Sequence, residues 1–132
     1  MKDILDFLLL NKVFYLATTN ENRNPHVRPM AFVMEHEGKL AFCTSNQKDM
    51  YKQMIANPNV EICCMNLDCN TLRICGQVVF CTSPQTQQKV LDTMPDLQKM
   101  YSVGDGKLEV FCLTNAKAML QDMTGHKQFL VI

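Results

Sequence analysis

The 132-residue sequence contains no Trp, only five Gly and five Pro, and no net charge, thirteen Lys plus Arg being matched by thirteen Asp plus Glu. So few Gly and Pro exclude a collagen-like or low-complexity chain, and 47% apolar residues are enough for one ordinary core. The charge balance, which holds in each half of the chain, lacks the basic excess of a general nucleic-acid or anionic-membrane binder. No apolar run reaches the ~20 residues needed to cross a bilayer. Met1 to Lys12 carries Asp3 and Asp6 inside its short apolar stretch and does not read as a secretory leader. The expectation is one cytoplasmic domain over residues 1–132, with no nucleic-acid or membrane partner.

The sequence is equally poor in catalytic signatures. It has no G-x-S-x-G, no Walker loop, no H-E-x-x-H and no G-x-G-x-x-G. His26, His36 and His126 stand apart, none with a Cys, Asp or Glu at a recognisable catalytic or ligand spacing. Seven cysteines form no C-x-x-C, and Cys43, Cys63, Cys64, Cys75, Cys81 and Cys112 lie in apolar runs, as reduced thiols used as small buried hydrophobes do. No metal site is expected. An enzyme with so few acids, bases and nucleophiles at useful spacings would need a borrowed reactive group, and a cofactor is the natural source.

Periodicity gives the organisation. Ile4, Leu5, Leu8 and Leu9 recur at helical spacing over residues 2–11. Val13 to Thr19 reads as a strand, Asn20 to Pro25 as a turn, and His26 to Glu35 and Leu40 to Thr44 as two further strands, so that an antiparallel meander is expected. Met50, Tyr51, Met54 and Ile55 mark a helix from Asn46 to Ala56, capped by Ser45 or Asn46 and stopped by Asn57-Pro58. Val60 to Met65 and Leu72 to Cys81 form another hairpin, with Gly76 marking a bulge or bend. Ser83-Pro84 opens a helix to about Met94, and Pro95 begins a short turn. Leu108 to Thr114 and Ala118 to Gln121 are the last strand candidates. Hairpin-linked strands without strand–helix alternation exclude a Rossmann-type fold and fit a mainly β antiparallel barrel with peripheral helices.

Two segments stand out chemically. In LAFCTSNQKDMYKQMIANP a strand ends beside Ser45 and a helix begins with Lys48 and Lys52 on one face. Such a junction gathers backbone N–H groups, hydroxyls and ammonium groups as a phosphate requires, although an ordinary cap with a solvated lysine face has the same spacing. In HVRPMAFVME, Arg28 is an isolated charge among apolar residues, and Pro29 cannot donate to a ladder, which frees backbone there for a ligand or marks an edge strand. Arg73, in Thr71 to Phe80, is a third isolated charge, of the kind strands use for ion pairs or interfaces.

Taken together, the RP pair, the CTSNQKD-x-x-K junction, the ANP helix stop and the LRICG strand resemble the pyridoxamine 5'-phosphate oxidase-like superfamily of FMN-binding split barrels, from about Val13 to Thr114. The resemblance implies a six-stranded antiparallel split β-barrel that forms a homodimer with FMN at the interface. It places Arg28, Pro29, Met30 and Ala31 against the flavin, Thr44, Ser45, Lys48, Asp49 and Lys52 at the phosphate and ribityl chain, and Arg73 near the flavin or dimer contact. The vitamin-B6 oxidases carry an S-R-K run at the phosphate corner and a C-terminal recognition segment; this sequence has neither, and it looks closer to the short bacterial branch of general-stress proteins and nitroimidazole reductases. The implied activity is an FMN-dependent oxidoreductase linking NAD(P)H to a small-molecule substrate. The alternatives are a non-catalytic flavin-binding stress protein and a split barrel holding haem or a deazaflavin.

Overall fold

Eight strands and three α-helices account for most of residues 1–132, all of which are described by the computed structural model. Helix α1 (Lys2–Asn11) precedes β1 (Phe14–Thr19), β2 (Pro25–Met30), β3 (Met34–His36) and β4 (Lys39–Ser45). Helix α2 (Asp49–Ala56), strands β5 (Asn59–Met65) and β6 (Thr71–Phe80), helix α3 (Pro84–Thr93) and a 3-10 helix (Pro95–Lys99) follow, and β7 (Leu108–Gln121) and β8 (Lys127–Leu130) end the chain. Every pairing is antiparallel, in the order β2-β1-β5-β6-β7-β4-β3, with β8 added on β7. The expected mainly β split barrel is thus present. Its six longer strands are extended by the three-residue β3 and four-residue β8.

The meander expected from β1 to β4 does not form. Strands β2 and β3 are successive in the chain yet occupy opposite ends of the ladder, and residues 31–33 between them belong to no strand. Phe32, Val33 and Met34 are buried in succession, so the two-residue alternation of a single strand is broken there. The sheet nevertheless curls until its distant parts touch. Phe14 of β1 and Phe42 of β4 have ring centroids 5.7 Å apart, although β5, β6 and β7 intervene in the hydrogen-bonded order. Phe42 also stacks on Phe111 of β7 at 5.4 Å, and these rings join Leu16, Ile62, Leu72 and Ile74 inside the curl, with Met50 and Met54 of α2 and Ile4 and Leu8 of α1 packed on them.

Strand β4 is buried on both faces. Leu40 and Phe42 enter that core, while Ala41 and Cys43 enter a second cluster with Phe32, Met34, Val90, Leu91, Leu108, Val110 and Cys112 under α3. Helix α3 is fixed by the expected signal: Ser83 Oγ accepts from the Thr86 N–H, Thr86 Oγ1 accepts from the Ser83 N–H, and Pro84 occupies the first turn.

Three local expectations change. The last two strand candidates are one strand, β7, which passes through Asn115 at a φ of 51°. The irregularity expected at Gly76 is present, but the extra residue lies on β7: Cys75 pairs with Lys117 and Gln77 with Thr114, so Asn115 and Ala116 oppose Gly76 alone. Cys75 and Cys69 are exposed, whereas Cys43, Cys64 and Cys112 are buried thiols as composition implied.

Candidate functional site

The segment that leaves the ladder between β2 and β3 forms one wall of a cleft of about 170 Å³. Pro29, Met30, Ala31 and Phe32 supply that wall, Cys43, Thr44 and Lys48 the floor and polar corner, and Met94, Leu97, Met100 and Tyr101 the roof. The arrangement follows from the fold. The break at residues 31–33 turns the chain away from β1, β4 ends beside it, and α3 with the 3-10 helix crosses above.

The corner contains a polar atom without a partner. Thr44 Oγ1 is fully buried and makes no hydrogen bond, an arrangement that costs about 1–3 kcal/mol unless a ligand or water meets it. Beside it, Lys48 is the N-cap of α2 and no side chain caps the helix, so its first-turn N–H groups keep no side-chain acceptor. The observed cap, Lys48, lies two or three residues beyond the expected Asn46 or Ser45. Ser45 remains in β4, paired with Leu108, its Oγ accepting from the Gln47 N–H at 3.1 Å. Asn46 turns away to donate to the Gly106 carbonyl at 2.8 Å. Burial pushes the Cys43 thiol up to about 12, against the opposing effect of Lys48, so it is neutral at physiological pH. Burial likewise raises Tyr101, whose hydroxyl faces Cys43, Ser45 and Asp105.

Arg28 lies just outside the cleft, already engaged. Its Nη1 donates to Thr18 Oγ1 at 2.8 Å and to the Leu16 carbonyl at 3.2 Å, and its Nη2 donates to Gln53 Oε1 at 2.7 Å. Partial burial lowers its pKa, while the charge of Asp49 in the first turn of α2 acts in the opposite sense. The structure thus brings Pro29, Met30, Ala31, Thr44 and Lys48 into one cleft, while Arg28, Ser45 and Asp49 are chain neighbours of lining residues and do not themselves line it. It does not bring Lys52 or Arg73 there. Lys52 lines a polar depression with Asn20, Glu21 and Asn22, and Arg73 lines a cleft of about 380 Å³ on the outer sheet face with Glu61, Lys117, Met119 and Phe129. The roof residues and Cys43 are absent from the site read off the sequence. Tyr101 stands 57 positions beyond Thr44 in sequence, and its only local signal is the apolar pattern of MPDLQKMY after the helix.

No curated protein sequence matches the chain. Among solved structures, a NimC/NimA family protein from Clostridium acetobutylicum is 39% identical, with a TM-score of 0.93 over 100% of this chain and 92% of that one. A protein related to general stress protein 26, from the same organism, has a TM-score of 0.78 at 13% identity, covering 99% of this chain and 93% of that one. A pyridoxamine 5'-phosphate oxidase-related, FMN binding protein from Nostoc punctiforme has a TM-score of 0.65 at 16% identity, covering 99% and 95%. The two low identities establish fold alone. The family model described as pyridoxamine 5'-phosphate oxidase matches residues 1–121. With that match over nine-tenths of the sequence, and the split barrel that accompanies it, the chain belongs to the pyridoxamine 5'-phosphate oxidase family.

Proposed function

We propose that the chain is an FMN-binding oxidoreductase that works as a homodimer and passes reducing equivalents from NAD(P)H to a small acceptor. The observation that carries this reading is the orphaned Thr44 Oγ1 beside Lys48 in a cleft with apolar walls. The residues fit the cofactor: a hydroxyl and an ammonium group at a helix N-terminus suit a phosphate or ribityl oxygen, and Met30, Phe32 and Leu97 suit a ring. Bound FMN supplies hydride chemistry. The chain's own contribution is to hold the phosphate through Lys48, to satisfy Thr44 and to exclude water with the apolar roof. None of His26, His36 and His126 lines the cleft, in keeping with chemistry that needs no protein acid or base.

The homodimer rests on size. Ligand sites for molecules as large as FMN occupy roughly 300–1,000 Å³. One chain offers about 170 Å³, so a second copy completes the enclosure. The FMN-binding relative from Nostoc punctiforme is consistent with the cofactor.

The test is an absorption spectrum of purified protein titrated with FMN, followed by anaerobic NADH and NADPH. Saturable binding near one flavin per chain, with bleaching on addition of the nucleotide, is the expected result. Binding without bleaching would leave a flavin carrier, and no binding would remove the cofactor assignment.

A further inference from the structure

We propose that Cys81 and Cys112 form a reversible dithiol–disulfide site that is oxidised by a small hydroperoxide. Their sulfurs are 3.0 Å apart, and no other pair of cysteines is hydrogen-bonded. The two residues come from neighbouring segments of one ladder. Cys81 directly follows β6 and its N–H donates to the Val110 carbonyl at 2.9 Å, while Cys112 lies in β7 opposite Val79 and Ala41. This backbone bond and the flanking register hold the thiols in place; an approach of about 1 Å converts the contact into a bond of ordinary length.

The environment favours reaction at Cys112. Either sulfur can donate the shared hydrogen bond; with Cys81 as the donor, that bond outweighs the opposing effect of burial and draws the Cys112 thiol below its ordinary value, with Lys39 and Lys89 acting in the same direction and Glu37 against them. The same hydrogen bond and burial raise Cys81, which keeps its proton. Lys89 Nζ, on α3, is fixed nearby by donating to the Glu35 carbonyl. Cys112 is buried and Cys81 half-buried, so the pair meets solvent on the Cys81 side.

The chemistry balances. The Cys112 thiolate attacks one oxygen of a hydroperoxide, the O–O bond breaks, and the products are a sulfenic acid and the oxygen leaving group, which takes a proton as water or an alcohol. Cys81 sulfur then attacks the Cys112 sulfur, loses its proton and expels hydroxide, which leaves as water. The two cysteines give up two electrons to the peroxide, and an external dithiol restores them. The resulting bond closes a loop of residues 82–111, which holds α3, the 3-10 helix and Tyr101, the elements that roof the cleft. The site stands apart from the flavin assignment, and its test needs no flavin.

The experiment treats the folded protein with excess hydrogen peroxide, alkylates it in denaturant and maps the peptides by mass spectrometry. A Cys81–Cys112 linked peptide that dithiothreitol reverses is expected, together with a raised melting temperature. In Cys81→Ser, dimedone is expected to label Cys112 as a trapped sulfenic acid. Alkylated Cys81 and Cys112 in peroxide-treated wild-type protein, with oxidation confined to exposed Cys69 and Cys75, would overturn the proposal, as would linkage of either residue to a different cysteine.

Discussion

Arg28 of β2 and Gln53 of α2 are joined by a 2.7 Å hydrogen bond, and Thr18 of β1 closes the triangle by donating to the same Gln53 oxygen at 2.6 Å. Three elements that meet at the border of the cleft are therefore coupled through one amide. Gln53→Ala leaves the half-buried guanidinium and the buried Thr18 hydroxyl without this acceptor. A loss of about 1–3 kcal/mol is expected in urea unfolding. A stability equal to wild type would show that water replaces the amide at no cost.

Thr44→Val separates stability from ligand binding. The hydroxyl has no partner in the protein, so replacing it by a methyl of similar shape removes a buried unsatisfied group and is expected to raise stability by about 1 kcal/mol. If the hydroxyl meets FMN, the same variant binds the flavin less tightly. Lys48→Ala is expected to weaken FMN by about 1–3 kcal/mol through loss of a charge-assisted bond. Fluorescence titration reads both variants, and unchanged affinity in both would move the phosphate away from this corner.

Gly76 tests the bulge. A Cβ at this position would lie 3.2 Å from the Thr114 carbonyl oxygen, in a residue paired with Gln77, and 3.3 Å from the Ala116 Cα in the bulge. Gly76→Ala is expected to destabilise the chain by about 1–3 kcal/mol, the range for overpacking. A melting temperature at or above wild type would show that β7 yields locally.

Asp105 gives a pH signature. Partial desolvation is the largest single influence and raises its pKa, but bonds from the N–H groups of Leu108, Lys107 and Ser102 together hold the carboxyl below the usual range. A folded-state pKa depressed in this way contributes stability above the unfolded value, and that contribution disappears as pH falls through the folded value. Asp105→Asn is therefore expected to lower the melting temperature at neutral pH, with the deficit beginning to shrink below about pH 4, where the unfolded carboxylate protonates, and closing only as pH falls through the lower folded value. An equal deficit at both pH values would assign the effect to geometry instead of charge.

Local chemistry made much of this molecule legible. Ser83-Pro84 marked α3 because its cap needs only neighbouring residues, and the Asn-rich turn marked the β1–β2 hairpin for the same reason. Long-range pairing was not legible. The separation of β2 from β3 depends on β1 and β4 choosing other neighbours, and the late start of α2 depends on Ser45 pairing with Leu108, more than sixty residues away. The site divides similarly. Thr44 and Lys48 lie in one short segment with a readable junction, whereas Tyr101 and Leu97 reach the cleft only because α3 folds back across β4 and β7.

The placement of β2 and β3 at the two ends of the ladder also has a mechanical consequence. Their separation breaks no interstrand hydrogen bond, because none joins them; only a three-residue covalent hinge and the side chains around it resist. Along this seam the ends of the sheet meet through side chains such as Phe14 and Phe42 instead of through rungs of the ladder. The width of the adjoining cleft is thus set by side-chain packing and not by backbone hydrogen bonds.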